Sequence, residues 1–184
     1  MIVRADIISQ PESGKYPERI FDNPNVWNSP GWSWVKFTNA DGREWVGHFR
    51  GAPGRTACSV PLKETIVLTS DYVFRLSNSL EYIRKLEEKS PFLEFEWQPP
   101  YRELAVAPSG AFIFADDYQV EKMNDGLADK TVIDTPLEIE NIKFTGWNGD
   151  RLAFTCDAFP DGKQQLMMEL DTNTWKISSK GLVS

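Results

Sequence analysis

Residues 137–177 alternate apolar and polar side chains with a period of two, and this pattern constrains the fold more than any other feature of the sequence. A period of two places every second side chain on one face of a strand, which predicts half-buried β-strands. Asn148-Gly149 and Asp161-Gly162 supply residues that tolerate the positive φ of tight hairpin turns. The stretch therefore predicts an antiparallel meander of three or four strands. Its inward-facing residues are Ile142, Phe144, Leu152, Phe154, Cys156, Leu166, Met168 and Leu170.

Three earlier segments have the same pattern of two apolar strands around a short turn. Leu104 follows Ile66 by 38 residues and precedes Ile142 by 38, which indicates a degenerate repeat of that length. The hairpin that contains Val35 is the first of the three segments. The three segments are 34–49, with its turn at 39–42, and 65–76 and 103–114.

The repeated unit consists of an apolar strand, a Pro-Ser-Gly or Asn-Gly turn, a second apolar strand and a polar loop. Over residues 35–177 it resembles the blades of WD40-type β-propellers, although the Gly-His and Trp-Asp signatures of those blades are absent from the sequence. The resemblance implies propeller-like repeats. The residues themselves also allow a twisted antiparallel sheet or a sandwich. In either arrangement, the sequence predicts a mainly β fold built as a meander of hairpins.

Two segments depart from the hairpin pattern. Residues 9–33 contain six Pro and Gly residues, which predicts an irregular segment. Residues 78–89 favour one short helix, because Asn78 could cap it and its apolar residues would share a face. A strand at 80–82 is the alternative for this segment.

The length of 184 residues predicts a single domain over 1–184, with repeat-like hairpins at 34–177. No apolar run approaches the roughly 20 residues that span a bilayer, and the N-terminus does not resemble a secretory signal. Cys58 and Cys156 are the two cysteines, and neither belongs to a CxxC pair. Isolated cysteines are typical of a reducing compartment, so we expect a cytoplasmic protein.

The net charge of −7 is concentrated in residues 116–140, where eight Asp and Glu residues accompany two Lys residues. A field of this sign repels nucleic acid and anionic membranes, and it attracts basic proteins. A solvated loop that aids solubility is the simpler interpretation. If the segment binds a partner, an aromatic residue within it is the natural hot spot. The partner-binding residues predicted on this basis are Asp116, Asp117, Tyr118, Glu121, Asp125 and Asp129.

In size, charge and lack of catalytic motifs, the chain is similar to bacterial toxin-immunity proteins. That similarity implies a small acidic protein that neutralises a basic toxin by binding it. The first functional hypothesis is therefore an interaction protein with a basic protein partner, without nucleic-acid or membrane binding. An incomplete propeller would leave edge strands that must be capped or paired, so the sequence also allows a homo-oligomer and leaves the oligomeric state open.

The sequence contains seven Trp residues, and four of them lie between positions 27 and 45. Flat aromatic rings bind the apolar faces of sugars and the side chains of peptides, which suggests a carbohydrate- or peptide-binding module as the alternative function. Core packing of a β-domain is the simpler interpretation. Trp34 and Trp45 flank the predicted turn at 39–42, where aromatic side chains on the two strands are expected to pair with each other. The four residues are Trp27, Trp32, Trp34 and Trp45.

The motifs that announce common enzyme classes are absent from the sequence, which favours a protein that is not an enzyme. His48 and Cys58 could form a base and a nucleophile only if the fold brought them together with an orienting group. The doublet Asp116-Asp117 lacks the regular spacing of a calcium loop. We therefore expect no catalytic residues, no metal and no cofactor.

Overall fold

The computed structural model describes residues 1–22, 29–79, 93–97, 99–160 and 164–182. Within these ranges the chain is all-β, and its 16 strands form four four-stranded sheets. The mainly β class and the antiparallel hairpins expected from the alternation are confirmed. The chain divides into two compact units, Met1–Pro99 and Pro100–Ser184. The single domain expected over 1–184 stays a prediction.

Sheet 1 belongs to the first unit and has the strand order β1-β3-β4-β2. The hairpin expected at 34–49 forms β3 and β4, with the backbone N–H of Asn39 donating to the carbonyl of Arg43 at 2.9 Å. Gly42 occupies the turn with a φ of 80°. Strand β1 pairs antiparallel with β3, whereas β2 pairs parallel with β4. The strands are Ile2–Ile8 (β1), Glu18–Phe21 (β2), Trp32–Asn39 (β3) and Glu44–Arg50 (β4).

Strand β2 corrects the expectation that residues 9–33 are irregular throughout. Pro17 directly precedes this strand at the edge of the sheet, where the missing N–H of a proline removes no ladder bond. Arg19 and Phe21 face inward, and the ring of Phe21 stacks on Phe49 at 4.4 Å between centroids. A strand of four residues is too short for its alternation to stand out among the surrounding prolines. Its partner is also distant in the sequence, so pairing with β4 is a tertiary effect.

Sheet 2 completes the first unit as an antiparallel meander in the order β5-β6-β7-β8. The hairpin expected at 65–76 is confirmed as β6 and β7. The short helix expected near 78–89 falls outside the described residues, apart from its first two positions. Arg75 joins three strands, since its guanidinium lies 2.6 Å from the carboxylate of Glu64 and 3.1 Å from that of Glu94. The strands are Pro53–Ser59 (β5), Glu64–Thr69 (β6), Tyr72–Ser77 (β7) and Glu94–Trp97 (β8).

An aromatic core joins sheets 1 and 2. Phe37 stacks on Trp45 with 4.3 Å between centroids, and Phe49 meets Phe74 edge-on at 5.2 Å. Gly47 makes room for these rings, because a Cβ at this position would lie 2.5 Å from the Phe49 ring and 2.9 Å from the Phe37 ring. The buried members of the core are Ile2, Phe21, Val35, Phe37, Trp45, Phe49, Val67, Tyr72, Phe74 and Leu76.

Sheets 3 and 4 form the second unit, and both are antiparallel meanders. The hairpin expected at 103–114 and the meander expected at 137–177 are confirmed. The turn at Asn148-Gly149 is present, whereas the one expected at Asp161-Gly162 lies outside the described residues. Sheet 3 contains Glu103–Val106 (β9), Phe112–Ala115 (β10), Val120–Gly126 (β11) and Asp129–Ile133 (β12). Sheet 4 contains Ile139–Asn148 (β13), Arg151–Ala158 (β14), Gln165–Asp171 (β15) and Lys176–Leu182 (β16).

The core of the second unit lies between sheets 3 and 4. Sheet 4 contributes the alternating residues of 142–170, of which Phe144 is only partly buried. Sheet 3 packs against them with Ile113, Ala115, Val120 and Ile133. One face of each sheet is thereby removed from water, and apolar burial of this kind is the main favourable term in folding.

The two cysteines provide a test of this core. Burial and the nearby charge of Asp157 raise the pKa of the Cys156 thiol from 9.0 to about 11. We expect Cys156 in a Cys58→Ser variant to resist a thiol reagent at pH 8 until denaturant is added, because the thiol is buried and protonated. Cys58 is only half-buried. In the matched Cys156→Ser variant it should therefore react under native conditions.

The same pKa shift predicts a dependence of stability on pH. The protonated thiol is favoured in the folded state, so its contribution is fully present below pH 9.0 and is lost as the pH rises towards about 11. Urea unfolding across this range should show a steeper loss of stability in the Cys58→Ser variant than in the Cys156→Ser variant. Equal pH profiles, or rapid native labelling of Cys156, would contradict the proposed core.

Candidate interaction surface

The charge of the protein follows the division into two units. The second unit, Pro100–Ser184, carries 14 Asp and Glu residues against eight Lys and Arg residues. The first unit, Met1–Pro99, carries 13 against 12 and is nearly neutral. Almost all of the net charge of −7 therefore belongs to sheets 3 and 4 and their loops.

Strand geometry separates the acidic residues that the sequence places close together. Asp116, Asp117 and Tyr118 lie in the turn before β11, whereas Asp125 and Asp129 lie at the other end of that strand. A strand of seven residues spans roughly 20 Å at about 3.3 Å per residue. The predicted partner-binding residues therefore form two groups at opposite ends of β11.

Two of the predicted acidic residues serve the fold of sheet 3. The Asp116 carboxylate accepts hydrogen bonds from the backbone N–H groups of Tyr118 at 2.7 Å and Gln119 at 2.8 Å. It thus closes the turn between β10 and β11 as a local Asx-type bond. The Glu121 carboxylate, which is partly buried, accepts a hydrogen bond from the Tyr101 hydroxyl at 2.7 Å. Neither carboxylate is a simple free charge on a solvated loop.

Tyr118 and Phe159 line a pocket beside the Asp116 turn. Their side chains are 63% and 48% exposed, which is high for aromatic residues. The pocket measures about 300 Å³, and Glu138 is its acidic lining residue. The backbone N–H of Phe159 donates to the Glu138 carbonyl at 3.1 Å, which fixes the loop after β14 beside this carboxylate. The sequence did not single out Phe159 or Glu138 as binding residues, because they approach Tyr118 only in the folded sheet pair.

A second pocket of about 450 Å³ is lined by Asp117, which directly precedes Tyr118, and by Asp157, which lies two residues before Phe159. Arg102 and Lys143 also line this pocket. Asp157 stands directly opposite Glu140 in the β13–β14 ladder. Like charges directly opposite one another in a ladder are destabilising. The Asn141 side-chain amide donates to the Asp157 carboxylate at 2.9 Å and Lys143 lines the same pocket, so groups of the chain itself offset part of this repulsion.

We name this surface the acidic–aromatic end of the second unit. It combines the exposed rings of Tyr118 and Phe159 with carboxylates from three places. These are the turn before β11, the position directly before β13 and the β13–β14 ladder. Its members are Asp117, Tyr118, Glu138, Glu140, Asp157 and Phe159.

The tryptophans expected near positions 27–45 do not form one platform within the described residues. Trp45 is fully buried in the aromatic core, which favours the packing interpretation for it. The expected pairing of Trp34 with Trp45 is wrong. Trp34 pairs with His48 and Trp45 pairs with Phe37, so the two indoles lie on opposite faces of sheet 1. Trp27 lies outside the described residues.

Trp32 and Trp34 share the outer face of sheet 1 and are half-buried. The guanidinium of Arg50 covers the Trp32 ring at 3.8 Å from the centroid. Two hydrogen bonds to Asp22, at 3.2 and 2.7 Å, hold Arg50 in this position. The Trp34 ring meets His48 edge-on at 6.2 Å. Each of the two indoles therefore contacts a side chain of β4.

His48 and Cys58, the candidate base and nucleophile, contact different side chains. His48 Nε2 lies 3.3 Å from Glu18 Oε2 on the outer face of sheet 1. Cys58 Sγ, on β5, lies 3.6 Å from Asn78 Nδ2. In the described part of the chain, no group of three His, Cys, Asp or Glu side chains could hold a metal ion. The described ranges likewise contain no helix long and apolar enough to cross a bilayer.

Comparison with known proteins assigns no family. No family model matches the sequence, and no curated protein matches it. Among solved structures, the crystal structure of the N-terminal domain of Nup159 is similar, with a TM-score of 0.47 and 8% sequence identity. The similarity covers 72% of this chain and 34% of that chain, so this chain spans about a third of the length of the matched structure.

The role of Asp116 in its turn can be tested by substitution. Asp116→Ala should lower the free energy of unfolding by about 1 kcal/mol, because two backbone N–H groups lose their acceptor. Asp116→Asn keeps a side-chain oxygen and should have a smaller effect. Asp117→Ala is the matched control and should leave stability nearly unchanged. Urea unfolding followed by tryptophan fluorescence measures all three, and equal effects at 116 and 117 would refute the turn-closing role.

Proposed function

We propose that this protein is a small acidic interaction protein that binds a basic protein partner through the acidic–aromatic end of its second unit. The observation that carries the proposal is the exposure of Tyr118 and Phe159 beside the carboxylates of Asp117 and Glu138. Monomeric surfaces seldom expose large rings together, and such patches commonly mark interaction sites.

The two components of the surface would have different roles in binding. Interface hot spots are enriched in aromatic residues and are surrounded by polar groups that exclude water. Tyr118 and Phe159 would supply the apolar contacts of such a centre. The surrounding carboxylates would accelerate encounter with a cation-rich partner and disfavour acidic ones. Binding should consequently be salt-sensitive in its association rate.

An immunity-type inhibitor is the specific form of this function that we favour. The protein would act in a reducing compartment such as the cytoplasm and would cover the basic active surface of a toxin that acts on an anionic substrate. Support comes from the small size, the acidic second unit and the absence of enzyme motifs from the sequence.

Charge reversal at the acidic–aromatic end tests the proposal. The bait is the full chain carrying Asp117→Lys and Glu138→Lys, used in pull-downs from native host lysate at low and high salt. A stoichiometric basic partner should bind the unchanged chain, weaken with salt and be lost with this variant. The charge-matched control is Asp125→Lys with Asp129→Lys, at the other end of β11, which should retain the partner.

Three outcomes of these pull-downs would contradict the proposal. If both variants retain the same partners, or if the Asp125 and Asp129 variant alone loses them, the acidic–aromatic end is not the docking surface. If no basic protein is captured by the unchanged chain, the acidic residues act only in solvation.

Truncation of the exposed rings provides a second test. Tyr118→Ala and Phe159→Ala should each lower the affinity for the partner by tenfold or more, which corresponds to about 1.4 kcal/mol or more of binding free energy. Met167→Ala is the control, because Met167 is 43% exposed on β15 of sheet 4 and is not part of the acidic–aromatic end. Surface plasmon resonance with the captured partner measures the three affinities. Equal losses in all three variants would show a general effect on folding instead of a hot spot.

A carbohydrate- or peptide-binding module is the second candidate function. It is favoured by the outer face of sheet 1, where Trp34 and His48 lie in one row with Ile20, which is 62% exposed. Such a site would change its tryptophan fluorescence on titration with neutral oligosaccharides or peptides. The change should disappear in Trp34→Phe, and it should be unaffected by Asp117→Lys with Glu138→Lys.

A further inference from the structure

A cleft of about 610 Å³ opens between sheets 3 and 4 of the second unit. Strands β11 and β12 supply one wall, and the turn before β16 supplies the other. Sites for small organic ligands usually measure roughly 300–1,000 Å³ and combine apolar walls with a few polar groups. The cleft has both apolar and polar lining residues. Binding of a small ligand there would be separate from the proposed interaction with a basic protein.

The charge of this cleft is opposite to that of the unit around it. Lys122 and Lys176 line it, and Asp134 is its acidic lining residue. Neither lysine forms an ion pair with a carboxylate in the part of the chain that the structure describes. By contrast, Arg151 and Lys180 on sheet 4 both pair with a glutamate of β15. The two lysines outnumber Asp134 in the lining, so the cleft has a local excess of positive charge in an acidic unit and favours an anion.

Trp175 holds the position of one lysine. The Lys122 ammonium lies 4.4 Å from the centroid of the Trp175 ring, within the range of a cation–π contact. The backbone of Trp175 is left-handed, with a φ of 54°, which is a genuine outlier for so bulky a residue. A backbone conformation of this kind persists only where the surrounding structure fixes it. The contact with this ring places the Lys122 ammonium at the cleft.

A hydroxyl of the cleft is oriented for donation. Asn124 Nδ2 donates to Thr131 Oγ1 at 3.0 Å and to Asp129 Oδ1 at 3.0 Å. Because Thr131 Oγ1 accepts this hydrogen bond, its own O–H remains available to donate to a ligand. Ile133 and Pro136 form an apolar part of the lining.

We propose that this cleft binds a small ring compound that carries a carboxylate. The carboxylate would lie on the ammonium groups of Lys122 and Lys176 and accept a hydrogen bond from the Thr131 hydroxyl. The ring would cover the apolar wall of Ile133 and Pro136. An ionised acceptor suits this site because hydrogen bonds between ammonium and carboxylate groups are about twice as strong as neutral ones.

The test uses the full chain and two carboxylate probes, benzoate and glucuronate, which separate a flat aromatic ring from a sugar ring. Benzyl alcohol and glucose are their uncharged counterparts. Isothermal titration calorimetry should show saturable binding of at least one carboxylate, with its uncharged counterpart at least about tenfold weaker. Lys122→Gln should lower the affinity for the carboxylate by about tenfold or more, and Lys176→Gln should lower it by a similar factor.

Lys143→Gln is the control variant, because Lys143 lies on β13 and does not line this cleft. Its affinity for the carboxylate should equal that of the unchanged chain. Thermal unfolding of each variant shows whether its fold is intact. The proposal is overturned if neither carboxylate binds saturably at millimolar concentration, if the uncharged compound binds equally well, or if both cleft lysine variants keep full affinity.

Discussion

The apolar face that sheet 4 presents to sheet 3 is the constraint on which the second unit depends. Phe154 and Met168 can leave water only if a second sheet covers them, and Ile113 and Val120 of sheet 3 provide that cover. The turn between β10 and β11 lies beyond the paired residues Ala115 and Val120, which are buried, and Tyr118 in this turn is 63% exposed.

The same packing determines how the charges of the second unit act. The acidic residues of 116–129 are close together in the sequence, but in the fold they form two groups separated by the length of β11. Only one of these groups lies beside exposed rings. Strand β14 brings the carboxylate of Asp157 to that group, and the loop after it brings the ring of Phe159. Between the sheets, Lys122 and Lys176 form a cationic cleft in a unit of opposite charge. One unit therefore offers an acidic surface and a basic cleft.

The hairpins and their turns could be predicted from the sequence, because a period of two and a glycine turn are local signals. Strand β2 could not, since its parallel pairing with β4 depends on contacts distant in the chain. Only part of the proposed interaction surface follows from the sequence. Tyr118 and Asp117 were identified by charge and aromaticity, whereas Phe159 approaches them only through the folding of sheet 4. The expected pairing of Trp34 with Trp45 failed because cross-strand register is set by the turn and not by residue type.

The most direct test of the central claim is site-specific photo-cross-linking in host lysate. A benzophenone amino acid replaces Tyr118 in one variant and Asp125 in another, so that both ends of β11 are probed in the same chain. The account predicts a cross-link to one basic protein from position 118, reduced by high salt, and none from position 125. Cross-linking from position 125 alone, or equally from both positions, would contradict an interaction surface at the acidic–aromatic end.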